Sequence, residues 1–290
     1  MSQSLLYITE NSGVSVRDTA AGGNVKTFLN YGDVVIYNSN DTPVTKPLNG
    51  TTYTWIKVTY YYAEKNPSTG KYVSVAVASD TGWIAQKNTA SISTSIPKKR
   101  DVYSYETAKD SENGTQKERL TNARYILSKL TAASATHVWT QEAVCGMLGN
   151  MEVESGFNPG SWQKKVGDIQ DTKNGFGLTQ WTPPTKLIDT VKSGESRTDI
   201  DVHLRRLQAE VTADGLPNSK DDQWLRKECP GTNKTLSFND FITSNMAART
   251  LAKYFLYCYE QPGNEEDLVE IRQNCAAKWY KLLKIIGDVE

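Results

Sequence analysis

The stretch whose reading decides the fold is Thr140-Gln141-Glu142-Ala143-Val144-Cys145-Gly146-Met147-Leu148-Gly149-Asn150-Met151-Glu152-Val153-Glu154-Ser155-Gly156-Phe157-Asn158-Pro159. Its first part predicts a helix over 140–155. Thr140 is an N-cap candidate, because its hydroxyl can accept a hydrogen bond from an otherwise orphaned backbone N–H of the first turn. Gly156 stops the helix, since glycine adopts the left-handed conformation of a C-terminal cap without strain. Val144, Met147, Leu148 and Met151 fall at i, i+3, i+4 and i+7 and make one apolar stripe. Two carboxylates flank that stripe, Glu154 at about 70° from its centre and Glu152 at about 90°. The wheel alone does not choose between them. Glu154 sits in the last turn, where the negative helix end disfavours a charged carboxylate. A carboxyl that keeps its proton near neutral pH is what general acid catalysis needs. An acidic residue at a helix end is nonetheless more often a solvated charge.

Outward from this segment, the C-terminal half keeps a helical period. Leu120, Ala123, Ile126, Leu127 and Leu130 share a face of a helix over 116–130, and Ile200, Leu204, Leu207 and Val211 form an i, i+4, i+7, i+11 stripe. Two more helices are expected over about 245–259 and 265–286, the last opened by Asn264 with acidic residues in its first turn. Thr182-Pro183 has the form of an N-cap followed by proline at the first helical position. Between Gly156 and Thr182 the chain is rich in glycine and polar residues, which suits irregular structure or a β-hairpin.

The N-terminal half has a different grammar. Val34-Val35-Ile36-Tyr37, Tyr53-Thr54-Trp55-Ile56-Lys57-Val58-Thr59-Tyr60 and Gly82-Trp83-Ile84 are β-branched and aromatic runs, separated by turn signals such as Asn11-Ser12-Gly13 and Pro67-Ser68-Thr69-Gly70. Many short strands with little helix predict a small barrel. Residues 93–114 are polar and suit a linker.

The bulk numbers narrow the classes. A chain of 290 residues favours two cores over one. With 33 basic and 33 acidic residues there is no basic excess, so a nucleic-acid partner is not expected. No run approaches the ~20 apolar residues that span a bilayer, so no membrane partner is expected. The first residues lack a basic region followed by an apolar run, so no secretory signal is expected. Cys145, Cys229, Cys258 and Cys275 include no C-x-x-C pair, and only two histidines could assist them, so no metal site and no cofactor are expected. A disulfide between two of the four stays open.

Longer strings carry a resemblance. Gly149-Asn150-Met151-Glu152-Val153-Glu154-Ser155-Gly156-Phe157-Asn158-Pro159 resembles the G-N-x-x-x-E-S-x-x-N-P motif of phage tail-type lysozymes. Gly175-Phe176-Gly177-Leu178-Thr179-Gln180-Trp181-Thr182-Pro183 resembles their G-Y-G-L-x-Q-W-T segment, with Phe176 in place of the usual tyrosine. Tyr259-Glu260-Gln261-Pro262 resembles a Y-E-x-P element and is followed by a helix carrying Arg272 and Trp279-Tyr280. In the first half Val14-Ser15-Val16-Arg17, Gly32-Asp33-Val34-Val35, Trp55-Ile56-Lys57-Val58 and Thr81-Gly82-Trp83-Ile84 resemble, in order, the strands of a bacterial SH3-like (SH3b) domain, with a long insertion from Tyr60 to Tyr72.

These resemblances imply two domains: an all-β SH3b-like barrel over 1–92 that binds the cell wall, a linker over 93–114, and a mostly helical α+β lysozyme-like domain over 115–290. They imply a glycoside hydrolase that cuts the β-1,4 MurNAc–GlcNAc backbone of bacterial peptidoglycan. Glu154 takes the place of the catalytic acid. Ser155, Gly177, Gln180, Trp181 and Tyr259 match positions around the sugar, with a packing role open for Trp181 and Tyr259. Glycoside hydrolysis usually takes a second carboxylate. Asp168 and Asp171 lie in the stretch expected to face Glu154, and Asp168 is preferred. Without one, the substrate's own 2-acetamido group or 6-hydroxyl would serve, the latter giving the anhydro-sugar of a lytic transglycosylase. The implied setting is the bacterial wall, reached from a phage virion tail or from the host cytoplasm before release, with other phage tail proteins as further partners. The rival is a non-catalytic wall-binding or tail-assembly protein on a lysozyme-like fold.

Overall fold

Burial alternates along the N-terminal strands as their sequences require. In β1 (Gln3–Ile8) and β2 (Val14–Arg17), the side chains of Leu6, Ile8, Val14 and Val16 turn inward and polar neighbours turn out. They meet Leu29 of β3 (Val25–Leu29), Val35 of β4 (Val34–Asn38) and residues from two long strands, β6 (Thr51–Lys65) and β7 (Tyr72–Ala85). The computed structural model describes residues 3–65, 72–108, 114–216, 223–232, 234–261 and 265–287. The expected turn at 67–70 and the expected helix opening at Asn264 lie outside the described residues.

All eight strands of this unit join one antiparallel sheet in the order β3-β2-β7-β6-β4-β1-β8, with β5 (Val44–Leu48) paired to β6 and β8 being Thr89–Ser91. No pairing joins β3 to β8 among the described residues, so the sheet is open where a closed barrel was expected. The strands are also not all short. Tyr60, Tyr61 and Tyr62 continue the β6–β7 ladder opposite Asp80, Ser79 and Ala78, so part of the expected insertion is strand. Gly82 is required where β2 crosses β7, because a Cβ there would meet Val16 Cγ1 at 2.3 Å.

The chain divides into two compact units, Met1–Ser95 with Thr115–Leu120 and Leu282–Glu290, and Ile96–Gly114 with Thr121–Lys281. The second is mainly helical, with α2 (Gln141–Ser155), α3 (Thr185–Ile188), α4 (Ile200–Ala213), α5 (Phe238–Ile242), α6 (Ala248–Phe255) and most of α1 (Gln116–Leu130) and α7 (Glu265–Ile286). A π-helical turn, Leu256–Glu260, follows α6. Thr140 caps α2 by accepting from Ala143 N, and Gly156 closes it at φ 57°. α2 is buried on every side from Ala143 to Glu152, more than its apolar stripe predicts. Gly146 lies against Leu251 and Ala252 of α6, and Gly149 against Arg272 and Ala276 of α7. Among the described residues no helix is long and apolar enough to cross a membrane.

Two expectations fail. The chain after Thr182-Pro183 does not start a helix at the proline; that peptide is cis, and α3 begins at Thr185. The segment expected as linker is built into the helical unit from residue 96 onward. Its β9 (Thr107–Ala108) pairs in parallel with β10 (Ser161–Trp162), and the side chains of Asn122 and Asn158 bond the backbones of Tyr103 and Tyr105. Backbone groups of the segment, at Tyr103 and Tyr105, are thus held by asparagine amides, and residues 109–113 lie outside the described ones.

Candidate active site

The motif around Glu154 has a physical part for each residue. At Gly149 a Cβ would come within 2.4 Å of the Arg272 carbonyl, so only glycine lets α7 approach. Asn150 then joins three helices. Its Nδ2 donates to Gly146 O and Ala252 O, both at 3.0 Å, and its Oδ1 accepts from Arg272 Nη1 at 3.1 Å. The guanidinium so held donates through Nη2 to Glu154 Oε1. Asn158 and Gly156 tie the chain beyond the helix to Tyr105 and Tyr103.

The two carboxylates have different surroundings. Glu152 is 2% exposed, and both its oxygens are engaged inside the core, Oε1 with Lys278 Nζ at 2.5 Å and Oε2 with Trp279 Nε1 at 2.7 Å. It clamps α2 to α7. Glu154 keeps 14% of its side-chain surface open, with Arg272 behind it. Arg272 favours the charged carboxyl, against the helix end, which favours the neutral one. The role of Arg272 was not predicted, although it lies three, four and seven residues before Cys275, Ala276 and Trp279 on the buried face of α7.

The 175–181 loop is joined to the same helix. Ser155 Oγ donates to Leu178 O at 2.8 Å, with Met151 O at 3.2 Å. Gly177 has φ 86°, and a Cβ there would lie 2.5 Å from the His203 ring. Gln180, at φ 53°, folds back so that its Nε2 donates to Gly177 O at 2.8 Å and Ser161 O at 3.1 Å. Its Oε1 is buried with no partner. The amide donors expected for a ligand are therefore engaged, and one acceptor is left.

Trp181 and Tyr259 meet beneath the loop. Trp181 Nε1 and the Tyr259 hydroxyl both donate to Glu210, at 2.9 and 2.6 Å. Ser155, Trp181 and Tyr259 are all buried, and each is hydrogen-bonded within the protein. Phe176, which replaces the usual tyrosine, packs against Trp162 with the rings tilted by 38° and 4.3 Å between centroids.

Asp168 bonds residues of its own loop, its backbone O accepting from Asn174 Nδ2 at 3.1 Å. Its Oδ1 accepts from Asp171 N at 3.2 Å and its Oδ2 lies 3.5 Å from Lys165 Nζ, contacts within its own loop. None of the four cysteines forms a disulfide, and all are buried. Among the described residues no group of His, Cys, Asp and Glu could hold a metal. A groove of about 680 Å³ on the helical unit, with Lys98, Lys99, Lys129 and Arg205 at its walls, contains none of the motif residues.

Residues 121–283, more than half of the chain, match the model of the phage tail lysozyme family. The chain belongs to the phage tail lysozyme family. The matched region contains Glu154, Arg272 and the whole 175–181 loop. A relative, Morphogenesis protein 1 of Bacillus phage B103, is 37% identical over 170 residues, 58% of this chain. The chain spans 41% of that relative's length.

Proposed function

We propose that this phage tail lysozyme family member is a glycosidase that cuts the β-1,4 MurNAc–GlcNAc bond of peptidoglycan, with Glu154 as its general acid. The observation that carries this reading is the contrast between the two candidate carboxylates: Glu152 is consumed by Lys278 and Trp279, while Glu154 ends the central helix partly open. In the reaction Glu154 takes up a proton from solvent and gives it to the glycosidic oxygen as the bond to the sugar breaks. Seating a glycan strand removes water from the carboxyl and favours its neutral form. Once the proton has gone, Arg272 stabilises the carboxylate, which then draws a proton from the incoming nucleophile. Gln180 Oε1, buried and without a partner, is the acceptor for a water that links it to the substrate.

Asp168 is the candidate second carboxylate, reachable at 28% of its side-chain surface. Its contacts within its own loop favour a second reading, in which the 2-acetamido group or 6-hydroxyl of the substrate is the nucleophile. The open sheet unit would hold the wall in the manner of an SH3b domain, its signature Arg17 pairing with Trp83. The name of the phage B103 relative supports a further reading, that of a tail-assembly component.

Glu154→Gln assayed on purified cell walls tests the catalyst. The release of soluble muropeptides, hydrated or anhydro, should fall by about a hundredfold or more. An unchanged rate would remove Glu154 from the chemistry, and a wild type that releases nothing would favour the assembly reading. Mass spectrometry of the products separates hydrated from anhydro-muropeptides.

A further inference from the structure

Under the 175–181 loop lies a buried polar cluster that the proposed chemistry does not use. Glu210 of α4 is fully buried, and three donors converge on it. Trp181 Nε1 and Arg206 Nε reach Oε1 at 2.9 and 2.8 Å, and the Tyr259 hydroxyl reaches Oε2 at 2.6 Å. Thr179 Oγ1 lies 3.5 Å from that same hydroxyl. The residues on either side of Gln180 are thus both connected to one carboxylate. Seven residues earlier on α4, His203 Nδ1 accepts from Leu178 N at 3.4 Å, so one helix face grips the loop at both ends.

A buried ion pair is a poor stabilising device, because desolvation offsets most of the attraction and apolar residues of similar volume often do as well. Burial pushes the Glu210 carboxyl up, with Arg206, Tyr259 and Trp181 acting against it. The loop it holds is under backbone strain. Gln180 has a left-handed φ, a conformation costly for a side chain of its kind and kept only where the surroundings impose it.

We propose that Glu210 is a positioning residue: by clamping Trp181 to Tyr259 it fixes the backbone at Gln180, and so the direction of the unpartnered Gln180 Oε1. This rests on the reading of Gln180 Oε1 as the acceptor for a water that links it to the substrate, and the experiment separates the two.

In the ¹⁵N-labelled protein, Glu210→Gln keeps the shape of the side chain and one acceptor oxygen. The Trp181 indole and Gln180 side-chain amide resonances should move together, while the melting transition is retained. On purified walls Glu210→Gln should lower the rate about tenfold in the native background, and less than twofold when Gln180→Ala is already present. Equal losses in both backgrounds, or Gln180 amide resonances that stay in place, would overturn the proposal. Should Glu210→Gln fail to fold, Trp181→Phe removes one donor of the clamp, keeps an aromatic ring and carries the same cycle. The resonance shifts are read without turnover. A wild type that cuts no glycan therefore defeats the proposed function and leaves this inference to the spectra.

Discussion

Arg272 concentrates the residue-scale logic of the site. It is buried, bonded through Nη1 to Asn150 and through Nη2 to Glu154, and its Nε has no partner. Arg272→Met keeps most of the stem's volume and deletes the fork. The loss leaves Asn150 Oδ1 without its donor and Glu154 without its cation, a cost of about 1–3 kcal/mol in stability. Glycan cleavage should fall at least tenfold, because the carboxylate left after proton transfer is no longer stabilised. Denaturant unfolding and the release of soluble muropeptides check the two halves separately. A variant that unfolds earlier yet cleaves normally would confine Arg272 to packing.

At the scale of elements, what was legible in the sequence was local. α2 begins and ends at Thr140 and Gly156 because cap chemistry acts within a turn, and α1 and α4 follow their apolar stripes. The Glu154 motif was legible for the same reason, as contiguous residues. Glu210 and Arg206 were not. On the wheel of α4 they lie about 90° and 130° from the apolar stripe, and Glu210 finds its partners in residues 181 and 259, distant in sequence. The packed strap from residue 96 escaped likewise, its partners Asn122 and Asn158 being distant in sequence.

α4 also carries a pH dependence. His203 is fully buried, its Nδ1 accepts from Leu178 N, and its Nε2 lies 2.8 Å from Arg197 O, so Nε2 holds the proton of the neutral ring. Burial is the main cause that lowers its pKa from 6.5 to about 4. Between those values the unfolded chain binds a proton that the folded one refuses. Stability contributed by His203 is therefore full above pH 6.5 and declines as pH falls toward 4, by up to roughly 3 kcal/mol. Glu210, raised by burial, works in the opposite direction but is common to both proteins compared. Urea unfolding at pH 7 and pH 4.5 should show a steeper acid loss in the native protein than in His203→Leu. Equal slopes would mean that the ring is protonated in the fold.

At the scale of the whole molecule, a glycan cutter facing an insoluble polymer gains from a second contact, since holding the polymer raises its effective concentration at the cleft. The sheet unit has a surface suited to that contact. Phe28 is 66% exposed and Tyr31 46%, with Val25 of the same strand also exposed, where a folded surface usually scatters such residues singly. Neither aromatic belongs to the core formed by Leu6, Val16, Val35 and Ile56, so both can be changed without loss of packing. The double variant Phe28→Ser, Tyr31→Ser should sediment several-fold less with purified walls and cleave them more slowly at low enzyme concentration. On short soluble glycan fragments, where no second contact operates, its turnover should equal that of the native protein. Equal sedimentation of both proteins would place the wall contact elsewhere on the chain, and a parallel loss on soluble fragments would mean that the two aromatics support the fold rather than the wall.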